Sequence, residues 1–169
     1  MCALRRSARF GVTFTVLLLS MVLLVAFASH VAAQSNDAFL GKWRLNVAKS
    51  KFSPGPAPRS SVVTYAMNGN CLTAVNEAVD ATGTQTRAEF TCLTLDGRDY
   101  PVKGSQAYDS SAYKRVDALT TDLTRKKAGK VVETGTRVLS KDGKTLTFTL
   151  QGTDAKGQKF SNVAVHEKQ

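Results

Sequence analysis

One histidine, His166, remains in this sequence once an apolar N-terminal stretch is set aside. Metal catalysis and Ser-His or Cys-His nucleophilic chemistry each need a histidine with placed partners. Strand alternation puts His166 on the polar flank of its segment, three residues from the C-terminus, which is poor material for either. The acids Glu77, Asp80, Glu89, Asp109, Asp122 and Glu133 are dispersed, and no two fall where one could act as acid and the other as base. The sequence therefore predicts a protein that is not an enzyme, with no catalytic residue, no metal ligand and no cofactor. What it does carry is recognition chemistry. Arg137 offers a planar fork of donors suited to a carboxylate or phosphate. Trp43, Tyr65, Phe90 and Phe148 offer large apolar surface, and Cys71 and Cys92 are candidates for a disulfide.

The elements that must position these residues are written by turn residues. Asn68-Gly69-Asn70, Asp80-Ala81-Thr82-Gly83, Asp96-Gly97, Ala128-Gly129, Asp142-Gly143 and Asp154-Ala155-Lys156-Gly157 cut the chain at intervals of roughly 8 to 15 residues, the punctuation of antiparallel hairpins. Strands are expected over 41–47, 61–67, 71–79, 85–95, 98–103, 111–116, 119–127, 130–140, 144–152 and 158–167. Between the first two, Pro54, Pro56 and Pro58 make residues 49–60 an extended loop over a barrel rim. No segment after Ala33 keeps a helical apolar period beyond two turns. The fold class is all-β, an antiparallel up-and-down barrel of eight to ten strands behind an N-terminal apolar signal segment.

Turn lengths fix which residues oppose each other. Centring a turn on Asp142-Gly143 pairs Leu139 with Leu146 and Arg137 with Phe148. Centring the next on Asp154 to Gly157 pairs Phe148 with Val163 and Leu146 with Val165. One flank is then Leu139, Leu146, Phe148, Leu150, Val163 and Val165; the other is Thr136, Thr145, Thr147, Thr149 and His166. The same counting around Asp80 to Gly83 sets Cys71 opposite Cys92, Thr73 opposite Phe90 and Val75 opposite Ala88. Opposed antiparallel residues lie within the Cα separation that a disulfide accepts, so a Cys71–Cys92 bridge is expected. At Ala128-Gly129 a two-residue turn would put Leu119 and Leu123 on the wrong face from Arg137, so a three-residue loop with a bulge is expected there. Tyr113 and Val116 need a similar irregularity to share a face.

The N-terminus reads as a secretory leader: Arg5, Arg6 and Arg9, an apolar run over 10–28, then small residues before Gln34. Residues 1–33 are expected to be a signal peptide, cleaved after Ala33 or alternatively Ala28. The apolar run is near the length of a membrane span, so anchoring through residues 10–28 is the outcome if the leader is retained. Cleavage leaves residues 34–169 as one domain and takes Cys2 with the leader. It lowers the formal net charge from +10 to +7, since three arginines and no acids are lost. The basic residues are scattered singly along the strands, and the group Arg125, Lys126, Lys127 and Lys130 flanks a turn. This is a solvated surface with no nucleic-acid recognition motif.

Gly41-Lys42-Trp43 resembles the G-x-W opening of the lipocalin and fatty-acid-binding (calycin) barrels. Residues 41–60 together with Ser140-Lys141-Asp142-Gly143-Lys144-Thr145-Leu146-Thr147 resemble small secreted bacterial proteins described as lipocalin-like. The resemblance implies a single lipocalin-like barrel, monomeric, secreted or periplasmic, holding a small apolar or amphipathic molecule non-covalently. The candidate ligand contacts in such a barrel are Arg137, Trp43, Tyr65, Phe90 and Phe148, with a core plug as the other reading of Trp43 and plain core packing that of Tyr65 and Phe90. Where fatty-acid-binding barrels carry Arg and Tyr two apart on the last strand, this chain has Ala164 and His166, so that carboxylate site is not carried over. Three readings of Arg137 stand open. It could receive a ligand anion, pack over Trp43 and close the barrel floor as in lipocalins, or point outward. The alternative to ligand binding is an envelope interaction or inhibitor module whose barrel is packed solid.

Overall fold

The computed structural model describes residues 37–169. The leader expected over 1–33, its two cleavage sites and Cys2 lie outside the described residues. Eleven strands form one antiparallel sheet: β1 Gly41–Leu45, β2 Lys51–Ser53, β3 Ser60–Asn68, β4 Cys71–Val79, β5 Gln85–Leu93, β6 Asp96–Lys103, β7 Ser110–Arg115, β8 Thr120–Lys127, β9 Lys130–Leu139, β10 Thr145–Thr153 and β11 Lys159–Lys168. From β3 onward each strand pairs with the next, and β1 pairs with both β3 and β11. That closes a ten-strand up-and-down barrel, the fold expected from the hairpin punctuation and from the G-x-W resemblance.

The eleventh strand was not expected. Residues 49–60 do not run as loop throughout, because Lys51–Ser53 pair with Val163 to Ser161 on β11. A single 3₁₀ turn, Val47–Lys49, kinks the chain between β1 and β2. The Asn46 side chain accepts from Lys49 N, and Ser50 Oγ, itself bonded to Asn46 O, accepts from Val165 N. Side chains thus take over the ladder where the first strand bends, as Asn and Ser do at local turns. The prolines follow immediately, and Pro58 lines the interior cavity.

Register holds where turn length was read correctly and slips where it was not. Leu139 faces Leu146 and Arg137 faces Phe148, as expected. On β11, however, Phe148 faces Ala164 and Leu146 faces His166, one residue from the expected Val163 and Val165. The cause is the turn. Asp154 N donates to Gln158 O, and Asp154 Oδ1 accepts from Lys156 N and Gln158 N, so the loop spends one residue more than the four counted. A slip of one reverses every side chain on the strand: Ala164 and His166 turn inward, and Val163 and Val165 turn out.

The Asp80 turn is built the same way, with Asp80 N bonded to Thr84 O. Phe90 accordingly faces Ala74 rather than Thr73, and Ala88 faces Asn76 rather than Val75. A bulge then restores what the slip would have lost. Between Ala74–Phe90 and Leu72–Leu93, β5 spends one residue more than β4. Cys71 and Cys92 are brought to a Cα separation of 5.1 Å and are disulfide-bonded.

Two further turns differ from expectation. Ala128-Gly129 is a two-residue turn, Lys127 facing Lys130, with both residues at positive φ. The expected bulge exists but lies inside the ladder, between Arg125 and Lys126, and it returns Leu123 and Arg137 to the same face. At the next site the chain reverses at Thr94 and Leu95, and Asp96-Gly97 already belongs to β6, which is irregular before Asp99. Tyr113 points inward; Val116 follows the end of β7 and is exposed.

The barrel core is one cluster running from Phe39 and Trp43 through Tyr65, Leu93, Leu123 and Leu146 to Phe148. Leu146 and Phe148 are buried and the threonines of β10 line the outer flank, so alternation of apolar and polar residues decided the two faces.

Candidate interior site

The barrel interior divides into a filled half and an open half. At the filled end, Asp37 starts a tight turn that holds Phe39. Asp37 Oδ1 accepts from Phe39 N at 3.0 Å, Asp37 O accepts from Leu40 N, and Asp37 Oδ2 receives Arg115 at 2.8 Å. Trp43 Nε1 donates to Phe39 O at 2.9 Å, which satisfies the indole inside the core. Phe39, Trp43, Arg137, Leu123, Leu146, Thr121 and Ser111 are the most deeply buried side chains. Together these side chains pack this end of the barrel.

Arg137 occupies the centre of that packing. Its guanidinium carbon lies 3.8 Å from the Phe39 ring centroid and 5.0 Å from those of Tyr65 and Tyr113. Nε donates to Thr121 Oγ1 at 3.0 Å, while Nη1 and Nη2 have no hydrogen-bond partner among the described residues. An aromatic cage thus does for this cation what a carboxylate would otherwise do. Arg137 is neither outward nor stacked on Trp43: Phe39 takes the place opposite the guanidinium, and Lys168 Nζ is the cation over Trp43, at 5.1 Å. Of the three sequence readings, a floor-closing role fits this placement, with Phe39 as the stacking partner. Phe39 was not singled out in the sequence, because it precedes the first strand and belongs to no alternating pattern.

The open half holds a cavity of about 120 Å³. Its apolar wall is Leu45, Phe52, Pro58, Val63, Phe90, Phe148, Leu150 and Ala164. Its polar groups are Ser61, Tyr65, Asn76, Tyr113, Arg125 and His166. Of the five ligand contacts named from the sequence, Tyr65, Phe90 and Phe148 line this space. Arg137 and Trp43 do not: they are packed at the filled end.

Two polar residues at the cavity were misplaced by sequence reasoning. Arg125, assigned to a solvated turn, is buried with its guanidinium 4.6 Å from the Tyr108 ring centroid. It is ion-paired with Glu133 and within 3.4 Å of the Tyr113 hydroxyl. Burial works against its charge, but Glu133 and the two tyrosines outweigh burial and hold it protonated. The signal was present: Arg125 lies two residues from Leu123, on the same face. His166, assigned outward, is 4 % exposed and meets the Phe148 ring edge-on at 5.4 Å. Neither of its ring nitrogens has a hydrogen-bond partner among the described residues, and burial pushes its pKa down to about 4, so the imidazole is neutral. Burial likewise pushes the Tyr65 hydroxyl up to about 12, against the opposing pull of Arg137, so it too is uncharged. Ser61 Oγ donates to Asn76 Oδ1 at 2.9 Å.

Among the described residues no group of three His, Cys, Asp or Glu side chains converges. The arrangement can exclude water, offer apolar walls, and present a few fixed hydrogen-bonding groups.

No protein-family model matches the chain, and no curated protein matches it in sequence. Among solved structures, it is similar to the zebrafish ileal bile acid-binding protein complexed with cholic acid. The match has 15% sequence identity and a TM-score of 0.49, and it covers 78% of this chain and 98% of that one.

Proposed function

We propose that residues 34–169 form a secreted or periplasmic carrier that binds a small apolar or amphipathic molecule inside the barrel, non-covalently and without a cofactor. On this reading the leader is removed by signal peptidase, the domain acts as a monomer, and it performs no chemistry on its ligand. The observation that carries the reading is the cavity walled by Phe52, Val63, Phe90, Phe148 and Leu150, with polar groups confined to a few positions. Burial of ligand surface there yields roughly 25 cal/mol per Å² of apolar area, while the polar groups fix orientation. A barrel packed solid from end to end would instead suit the interaction or inhibitor module. Only the Phe39–Arg137 end is packed in that way.

Native mass spectrometry of the protein purified from its own host without denaturation tests this. A small mass that co-purifies and is released by organic solvent is expected. A stoichiometric second polypeptide, with no small mass, would replace this reading by the interaction module.

A further inference from the structure

Two cavity-lining residues keep buried polar atoms without a partner among the described residues, Arg125 at Nε and His166 at both ring nitrogens, and only the His166 side chain makes no hydrogen bond or ion pair. Its ring is buried, it lines the cavity, and both nitrogens lack partners. A buried polar group without a hydrogen bond is costly, so a side chain aimed into an apolar space in this state marks where something polar sits. Leu45 and Leu146 are its ladder neighbours and Phe148 packs on its edge. None of these can supply the missing bond, and the Ala164 carbonyl, which pulls weakly on the ring, does not reach hydrogen-bond geometry with either nitrogen.

The size and charge of the space narrow what that group belongs to. A cavity of about 120 Å³ is below the roughly 300 Å³ at which drug-sized pockets begin. It is nearer the roughly 150 Å³ space that takes a single benzene ring. A fused-ring or long-chain molecule would not fit within that volume. The wall also carries no uncompensated charge. Arg125 is already paired with Glu133, His166 is neutral, and Tyr65 keeps its proton. A carboxylate would enter without a free cation, and an ammonium would face Arg125; either would be desolvated without repayment.

Deepening the carrier reading on which it rests, we propose that the cavity takes an uncharged single-ring molecule bearing a hydroxyl group, a phenol-like head held by the His166 imidazole and walled by Phe90 and Phe148. The neutral imidazole presents one N–H and one lone pair, and a hydroxyl is the smallest group that can answer either. The ring supplies apolar surface to the rest of the wall.

Calorimetric titration of the purified domain at pH 7 with four probes tests this: p-cresol, toluene, benzoate and palmitate. Saturable binding of p-cresol is expected, about tenfold tighter than toluene, the value of one well-made hydrogen bond, and undetectable binding of benzoate. His166→Leu should abolish the preference for p-cresol over toluene, bringing their affinities to the same level. Should that variant fail to fold, the ¹⁵N shifts of the wild-type His166 ring must move on addition of p-cresol and stay unmoved with toluene. Equal affinity for p-cresol and toluene would overturn the proposal while leaving an apolar carrier in place. Tight palmitate binding with no one-ring binding would do the same. Silence from all four probes, together with no co-purifying small mass, would remove the carrier reading as well.

Discussion

The guanidinium of Arg137 lies 3.8 Å from the centroid of the Phe39 ring, both side chains fully shielded from water. Phe39 is carried by the turn that Asp37 initiates, so a residue outside the sheet covers a charge inside it. Removing the ring forfeits its own burial and lets water reach an arginine with two unpartnered nitrogens. Phe39→Ala should lower stability by about 3–5 kcal/mol, the usual cost of truncating a buried phenylalanine. Urea unfolding followed by Trp43 fluorescence measures it.

Arg137 itself should be replaceable by an apolar residue of similar length. A buried cation held only by rings and one hydroxyl has paid its desolvation without a full set of hydrogen bonds, and apolar replacement of such groups is often neutral or stabilising. Arg137→Met is expected to leave the urea midpoint unchanged or raised. Arg137→Lys should lower it, because an ammonium neither stacks nor reaches Thr121 in the same geometry. Ligand affinity should be unaffected in Arg137→Met, since Arg137 does not line the cavity; a loss of uptake would return it to the role of anion receptor.

The pH dependence of stability should carry the mark of His166. Desolvation holds its folded pKa at about 4, below the ordinary 6.5. As pH falls through 6.5 the unfolded chain takes up the proton first, so stability is present above that value and is lost progressively down to about pH 4. The full drop attributable to His166 is about 3 kcal/mol. Unfolding free energies at pH 7.0, 5.5 and 4.5 should decline in the wild type. The decline should be flatter in His166→Leu, and equal slopes in the two proteins would contradict the assignment.

Two glycines in the strands, Gly135 and Gly152, should be far less tolerant than Gly143 in its hairpin turn. A Cβ on Gly135 would lie 2.0 Å from Thr149 O, and one on Gly152 would lie 2.1 Å from Val132 O. Both contacts are with backbone, so β9 and β10 must separate to admit a methyl group. Gly135→Ala and Gly152→Ala are each expected to cost about 3 kcal/mol or more. Gly143→Ala meets nothing within 4 Å and bears only the strain of φ +68°, about 1 kcal/mol. Thermal melts of the three variants give the ranking directly.

The Cys71–Cys92 bridge spans a sequence separation of 21. Closing a loop of that length removes unfolded-chain entropy worth about 3 kcal/mol. Cys71→Ser/Cys92→Ser should lower the unfolding free energy by that amount, and added reductant should then have no further effect. A free-thiol assay on the unreduced wild type should read zero for this pair.

Reading outward from particular residues shows where the sequence was sufficient. Leu139, Leu146 and Phe148 went inward because alternation is a property of each strand alone, and the turn residues marked eight of the eleven strands because turn chemistry is local. The bridge between Cys71 and Cys92 was anticipated, although the bulge that brings them together was not. Lys51–Ser53 escaped notice since three residues beside a proline loop form a strand only when β11 is there to receive them.

The site was less legible for a physical reason that His166 and Arg125 illustrate. Their direction depends on whether a hairpin spends four or five residues in its turn and on where a bulge falls, and a difference of one residue exchanges inside for outside. Whether the interior is open or filled depends on the summed volumes of side chains from all ten barrel strands and from Phe39, none of them neighbours along the chain. The amino-acid order thus determined by itself that this is an antiparallel barrel with a greasy inner flank and a disulfide. Only closure of the barrel decided that Arg137 would lie in an aromatic cage at one end and that a neutral histidine would line a cavity at the other.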